Sequence, residues 1–425
     1  MGRLPDHVLL ACFAQLDWAT RFQVVPLVCR SWAELASSAA PELWGSVTVD
    51  FTSHMWLRAG RLAAWLRRRG SAICSLSLLN SDSSLTPWVR GWVPGSRMRH
   101  SMHDFYPLSE EGLARVLAPL HALRELRIAR CDDLLQRGAL ACALRALPLL
   151  ERLELTTTDP AAWRGVEWRS LRRLRTLALR HGPLNIGAWP PSPLALGAEE
   201  ADPETGFPLP LADLRGLTSL LVHHQEMRAL PDDIALLTEL RSLTLCGRSL
   251  RELPAAVGSL PALEELSLRS CPLGERGMPG QRGAWALPPE LARCPLRRLD
   301  LMNCQLEALP VAVGSLAALE ELSLGYNRLT WLPDNLAGLA GLALAQPALT
   351  RLEELFMDEN PRLQFGQGAA VLLRLPRLRC LSVMQDSSPD EGSFDFWSES
   401  SICFLHQLDE VLRQRHSGRG YVRLH

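Results

Sequence analysis

Five residues near the middle of this chain carry most of its chemistry. They are Arg180, His181, His223, His224 and Arg269. A guanidinium pairs well with a carboxylate or a phosphate, so Arg180 and Arg269 flanked by imidazoles could receive an acidic or phosphorylated segment. Tyr326, Phe356, Asp358 and Glu359 add aromatic and acidic character further on. The same residues also fit an ordinary solvated strand face. His223 and His224 are adjacent and point in different directions on a strand, which makes them poor partners for one metal ion.

What sets these residues in columns is a repeated pattern, Leu-x-x-Leu-x-Leu followed by Asn or Cys and a further Leu. It is clearest in Leu240–Leu250, Leu263–Leu273, Leu296–Leu306 and Leu319–Leu329. From Leu220 to Leu243 is 23 residues, as it is from Leu243 to Leu266 and from Leu299 to Leu322. A fixed period of this length denotes a solenoid, in which each repeat buries its core against its neighbours. The expected fold is α/β, a leucine-rich-repeat solenoid with a curved parallel sheet on its concave side and helices and 3₁₀ turns on its convex side. Residues beside the second and third leucines face outward there, which places Arg180, His181, His223, Arg269, Tyr326, Phe356 and Asp358 on the candidate binding face.

The spacing also locates interruptions. Leu177 to Leu220 is 43 residues, with the excess in the Pro-rich stretch 183–210. Leu266 to Leu299 and Leu322 to Leu355 are each 33, with the excess at 274–286 and 337–347. Leu76 to Leu126 is 50, which fits two repeats or one repeat and an insertion. Such insertions carry binding function in some solenoids and are surface decoration in others. Later repeats carry Leu-Pro after the motif, at Leu230, Leu253, Leu309 and Leu332, and proline there disfavours a helix just before it. Convex segments should therefore be short and partly 3₁₀ in that half, with the change near residue 215. Helices are expected at 57–69, 137–147 and 402–415, the last as a cap, and a strand at 73–78. The run Arg67–Arg69 reads as a solvated helix end.

Composition narrows the function. The 425 residues carry a formal charge of -1, which argues against a general nucleic-acid binder. Apolar residues make up 47%, yet no run approaches the roughly 20 needed to span a bilayer. The first residues, MGRLPDHVLL, lack an unbroken apolar stretch for a signal peptide, and Asp6 spoils a myristoylation motif. The 11 cysteines are scattered, and Cys131, Cys271 and Cys304 occupy the Asn/Cys position, so reduced buried thiols in the cytoplasm or nucleus are expected. Signatures of hydrolases, P-loops, zinc proteases and dinucleotide enzymes are missing, so neither catalysis nor a cofactor nor a metal is expected.

Residues 4–44 do not follow the repeat. Their apolar positions suggest three short helices, a bundle marginal on its own. The segment opens with Leu4-Pro5, continues with Leu9, Leu10 and Phe13, then Val28-Cys29-Arg30-Ser31-Trp32, and closes on Leu43-Trp44. It resembles an F-box, and an F-box followed by leucine-rich repeats is a known family arrangement. Val8 stands where the family pattern has an acid, and Pro26 should kink or shift a helix. The resemblance implies docking on a Skp-family adaptor and a cullin scaffold, with Leu4, Pro5, Val8, Leu9 and Phe13 as adaptor contacts and the repeats holding a protein substrate. It divides the chain into an F-box (1–45), a first repeat section (46–215), a Leu-Pro repeat section (216–384) and an acidic loop with a capping helix (385–425). The other readings are a signalling scaffold without ligase linkage and a repeat receptor for a small ligand.

Overall fold

The structure, a computed structural model, describes residues 4–38, 41–50, 59–80, 110–131, 135, 138–157, 160–163, 165–181, 205–275, 287–332, 349–365, 367–385 and 397–424. It divides into two compact units, Met1–Gly197 and Ala198–His425.

The first unit opens with five short helices rather than three: α1 (Asp6–Ala14), α2 (Trp18–Gln23), α3 (Val25–Val28), α4 (Arg30–Ser37) and α5 (Pro41–Trp44). Asp17 starts α2 by accepting the Thr20 amide at 2.9 Å, an N-cap that also divides α2 from α1. Pro26 sits in the first turn of α3, where its missing N–H costs nothing. Extended backbone at Cys29 then separates α3 from α4. Five parallel strands follow, β1 (Ser46–Asp50), β2 (Ser75–Leu79), β3 (Glu125–Ala129), β4 (Arg152–Thr157) and β5 (Thr176–His181). Helix α6 (Ala59–Arg69) lies between β1 and β2, α7 (Glu110–Leu117) between β2 and β3, and α8 (Ala139–Leu144) between β3 and β4.

The second unit holds β6 (Ser219–His223), β7 (Ser242–Cys246), β8 (Glu265–Ser267), β9 (Arg298–Asp300), β10 (Glu321–Ser323), β11 (Glu354–Phe356) and β12 (Cys380–Ser382). It ends with α9 (Glu399–Arg415) and β13 (Tyr421–Arg423).

Register follows the second leucine of each motif. In the second unit Leu220, Leu243, Leu266, Leu299, Leu322, Leu355 and Leu381 are Cα partners in succession, and Val422 of β13 extends the row. In the first, Val47, Leu76, Leu126, Leu153 and Leu177 form the same row. All but Val422, which is half-buried, are buried, so the alternation of strand side chains places the core along one face of the strands. Register survives the long gaps because a one-residue slip would turn every leucine to solvent. Direct pairing of β2 with β3 shows that Leu76 to Leu126 is one repeat with an insertion.

The convex side changes earlier than residue 215. Helix α8 is followed by 3₁₀ turns at Pro160–Trp163 and Trp168–Ser170, still within the first unit. In the second unit 3₁₀ turns follow Pro231, Pro254 and Pro310, each at the N-cap position, as the Leu-Pro pattern predicts; Pro288 starts a further one, and Pro333 lies outside the described residues. Of the insertions expected at 183–210, 274–286 and 337–347, residues 183–204, 276–286 and 337–347 lie outside the described residues.

Strands β1 and β13 escape the leucine pattern. The first reads SVTVD, with valines in the buried positions. The second is tied to α9, where the Asp409 carboxylate accepts the Val422 amide at 2.8 Å. Helix α9 falls where a helix is expected and is tied to the preceding repeat: Arg415 donates to the Leu373 carbonyl at 2.9 Å, and His416 Nε2 lies 2.8 Å from the Leu378 carbonyl oxygen.

Candidate functional site

The candidate binding face is the outward side of the strands. Five strands there, β3 and β8 to β11, are followed by a left-handed residue: φ is 58° at Arg130, 62° at Ser270, 57° at Asn303, 56° at Tyr326 and 55° at Glu359. That conformation ends the strand alternation and turns the chain down towards the next buried position. Below the turn lies the Asn/Cys ladder. Asn327 Nδ2 donates to the Leu301 carbonyl of the preceding repeat at 2.8 Å, and its Oδ1 accepts the Cys304 and Leu306 amides at 2.9 and 3.0 Å. Asn360 Nδ2 repeats the donation to Leu324 at 3.0 Å. Cys304 and Cys271 occupy the same rung, their thiols facing the Leu268 and Leu245 carbonyls at 3.0 and 3.5 Å. Burial pushes the Cys304 thiol up to about 12 and the Cys271 thiol well above its usual range.

The two arginines are not free cations. Arg180, at the end of β5, lies 4.0 Å from Glu154, which also lies 3.6 Å from Arg127. Arg269, after β8, lies 3.3 Å from Asp300. Asp300 is itself held, accepting the Met302 amide at 3.0 Å and the Ser267 hydroxyl at 3.2 Å. Arg180 and His181 belong to the first unit, His223 and Arg269 to the second. His181 and His223 are half-buried at the ends of their strands, whereas His224 is buried. Among the described residues no group of three or more His, Cys, Asp or Glu could hold a metal ion.

Asp358 is a structural acceptor rather than an open contact. Its Oδ1 takes the Ser382 hydroxyl and the Met384 amide, each at 2.7 Å. Phe356 stands half-buried on the face between Ser323 and Ser382, and Tyr326 is 57% exposed. The surrounding charge is acidic. Residues 320–327 and 353–360 contain six carboxylates and no Lys or Arg. The arginines lie one strand out on either side, Arg297 3.6 Å from Glu320 and Arg379 2.8 Å from Glu354.

The second candidate region is the N-terminal helical head. Of the residues expected as adaptor contacts, Leu4 and Pro5 are exposed and Val8 is half-buried. Leu9 and Phe13 are not: they are 8% and 3% exposed, and the Phe13 ring meets Trp32 edge-on at 4.7 Å. They form the inside of the head because a helix this short has one buried stripe, and it runs through them. The exposed apolar side chains are others: Leu16, Val24, Leu27 and Val28, with Leu27 at 83%. With Leu4, they are five of the ten exposed large apolar residues among the described residues, gathered in a short stretch. A signal for this was present in Val24-Val25-Pro26-Leu27-Val28, since five consecutive apolar residues cannot all face one side of a single-turn helix. The basic run also splits. Arg67 and Arg68 are exposed, whereas Arg69 is buried, so the run is not wholly a solvated helix end.

No protein-family profile and no curated protein matches this sequence. The fold is a leucine-rich-repeat solenoid. Among solved structures, the chain is similar to the Drosophila Toll protein in its complex with Spatzle, at 17% identity and a TM-score of 0.44 over 76% of this chain and 34% of that one. It is also similar to a leucine-rich-repeat protein of Leptospira interrogans, at 15% identity and a TM-score of 0.40 over 96% of this chain and 98% of that one. An internalin of Listeria monocytogenes matches at 16% identity and a TM-score of 0.35, over 68% of this chain and 88% of that one. The chain thus spans about a third of the Toll chain. Among the described residues no helix is long and apolar enough to cross a membrane.

Proposed function

We propose that this chain is the substrate-recognition subunit of an SCF-type ubiquitin ligase. The helical head docks on a Skp-family adaptor, and so on a cullin scaffold, while the repeats hold a protein substrate. The observation that carries this reading is the exposed apolar group Leu4, Leu16, Val24, Leu27 and Val28 on a segment whose residues resemble an F-box. A helical cap that merely shielded β1 would turn such side chains inward. The repeats supply an extended outward strand face of the kind solenoids use for binding. An acidic or phosphorylated substrate segment is disfavoured on the second unit, where Arg269 is paired and β10–β11 are rich in carboxylates.

The deciding experiment is a pull-down of the full chain with a purified Skp-family adaptor, beside an F-box of known binding. Capture of the wild type and loss of capture in Leu27→Asp/Val28→Asp supports the reading. Failure of the wild type to bind where the control binds removes it, and leaves the signalling scaffold, a solenoid with a helical cap and no ligase link.

A further inference from the structure

Arg69 is the last residue of α6 and the only buried member of the Arg67–Arg69 run, at 7% exposure. Its guanidinium carbon lies 5.0 Å from the Trp44 ring centroid and 4.9 Å from that of Trp65. The two indoles meet edge-on at 5.0 Å and 83°, so the cation occupies the angle between two π-systems. Its Nη2 donates to the Ala36 carbonyl in α4 at 2.9 Å. Its Nε is buried with no hydrogen-bond partner among the described residues. Burial lowers the guanidinium's proton affinity, and neighbouring Arg68 lowers it further.

Burying a cation is costly, and a surface arginine would serve an ordinary helix end at no such cost. The contacts explain what the cost obtains. Among the described residues, the partners of the Arg69 guanidinium outside α6 belong to the head. Trp44 ends α5, and Ala36 lies in α4. Around them Phe22 of α2 meets Trp65 edge-on at 5.7 Å, and Arg21 of α2 lies over Trp44 at 5.6 Å and donates to the Leu43 carbonyl. The next residue faces the other way. Gly70 is seated on the Pro119 carbonyl just after α7, so closely that a Cβ would lie 2.1 Å from that oxygen. Two successive residues thus join the head to the repeat layer of the same unit.

We propose that Arg69 is a positioning residue that clasps the N-terminal head to the first repeats, its cation held between Trp44 and Trp65 and its amino group on Ala36. Its weight in function rests on the docking role proposed for the head, because a substrate held by the repeats is then presented at a fixed angle to the adaptor. The geometry itself does not depend on that role.

The test uses the full chain without adaptor. Spin labels go on the exposed Cys12 of α1 and Cys142 of α8, with exposed Cys29, Cys74 and Cys403 replaced by serine. Arg69→Met keeps the aliphatic stem and removes the cation. It should broaden the distance distribution between the labels at least twofold, while hydrogen exchange of α1–α5 and β2–β5 stays protected. Arg69→Lys should fall between the two, and Arg67→Met should match the parent. An unchanged width in Arg69→Met overturns the clasp. So does a lysine variant as broad as methionine, because the cation would then be irrelevant, and so does unprotected head exchange, because Arg69 would then be a folding residue. Adaptor pull-down reads the docking reading separately, since Arg69 is not on the exposed apolar face.

Discussion

Glu321 and Glu354 stand opposite each other in register on β10 and β11, two like charges in a row that continues with Arg298 on β9 and Cys380 on β12. Arg298 is paired with Glu265 and Arg379 with Glu354, but Glu321 has no ion-pair partner among the described residues. Burial raises the Glu321 carboxyl above its usual range, and Glu354 raises it further. Like charges directly across a strand pair oppose folding.

Glu321→Gln should therefore raise the thermal midpoint of the second unit at neutral pH. A carboxyl raised in the fold is stable when protonated, so the penalty in the parent is present above the folded value. It disappears as the pH falls below the unfolded glutamate value of about 4.3. Calorimetry of both proteins across pH 4–7 checks this. Equal midpoints at pH 7 would show that the pair is screened.

Phe13→Ala and Leu27→Ala separate the inside of the head from its outside. Loss of a buried phenylalanine costs about 3–5 kcal/mol, more than a bundle this small has to spare, so amides of α1–α5 should lose protection in hydrogen exchange. Leu27→Ala should change stability by less than about 0.5 kcal/mol, as an exposed position does. Its effect belongs to adaptor capture. Comparable exchange in the two variants would contradict the burial described for α1 and α3.

Asn327→Ala should be the most damaging change in the Asn/Cys ladder. It strips partners from the buried Cys304 and Leu306 amides and the Leu301 carbonyl, at about 1–3 kcal/mol for each group left unsatisfied. Cys271→Ala removes one weak thiol donor, Sγ to Leu245 at 3.5 Å, and should cost about 1 kcal/mol. Denaturant midpoints of the two variants give the order directly.

Thiol labelling should follow burial. Iodoacetamide at pH 7.5 should modify Cys12, Cys29, Cys74, Cys142 and Cys403, and spare Cys131, Cys271 and Cys304 until the chain is unfolded. The Cys304 thiol, held at about 12 against roughly 8.5 when free, contributes stability in full below the free value. That contribution drains away as the pH rises towards the folded one. Mass spectrometry of labelled peptides gives the pattern, and early labelling of Cys304 would refute the ladder.

Much of the fold was legible in the leucines. Their spacing of 23 residues predicts the register of Leu220, Leu243 and Leu266, and Leu-Pro marks the 3₁₀ turns. Strand β1 was hidden because two valines do not make a repeat, and the five-helix head because Asp17 and Cys29 break helices by caps and backbone that apolar periodicity does not report. At the binding face, sequence named Arg180 and Arg269 and missed that Glu154 and Asp300 neutralise them, since those acids come from neighbouring strands.

Sequence by itself determined which leucines of the repeat strands face inward, because strand alternation and a fixed repeat are local geometry. Only tertiary structure decided which exposed and charged groups remain available. Arg67, Arg68 and Arg69 are identical in type and adjacent in the chain, yet one is buried between indoles from two helices. Leu27 is as apolar as Leu9, yet it faces out because single-turn α3 presents its other side to the head. Burial of a side chain depends on what the rest of the chain brings to it, and no window of neighbouring residues contains that.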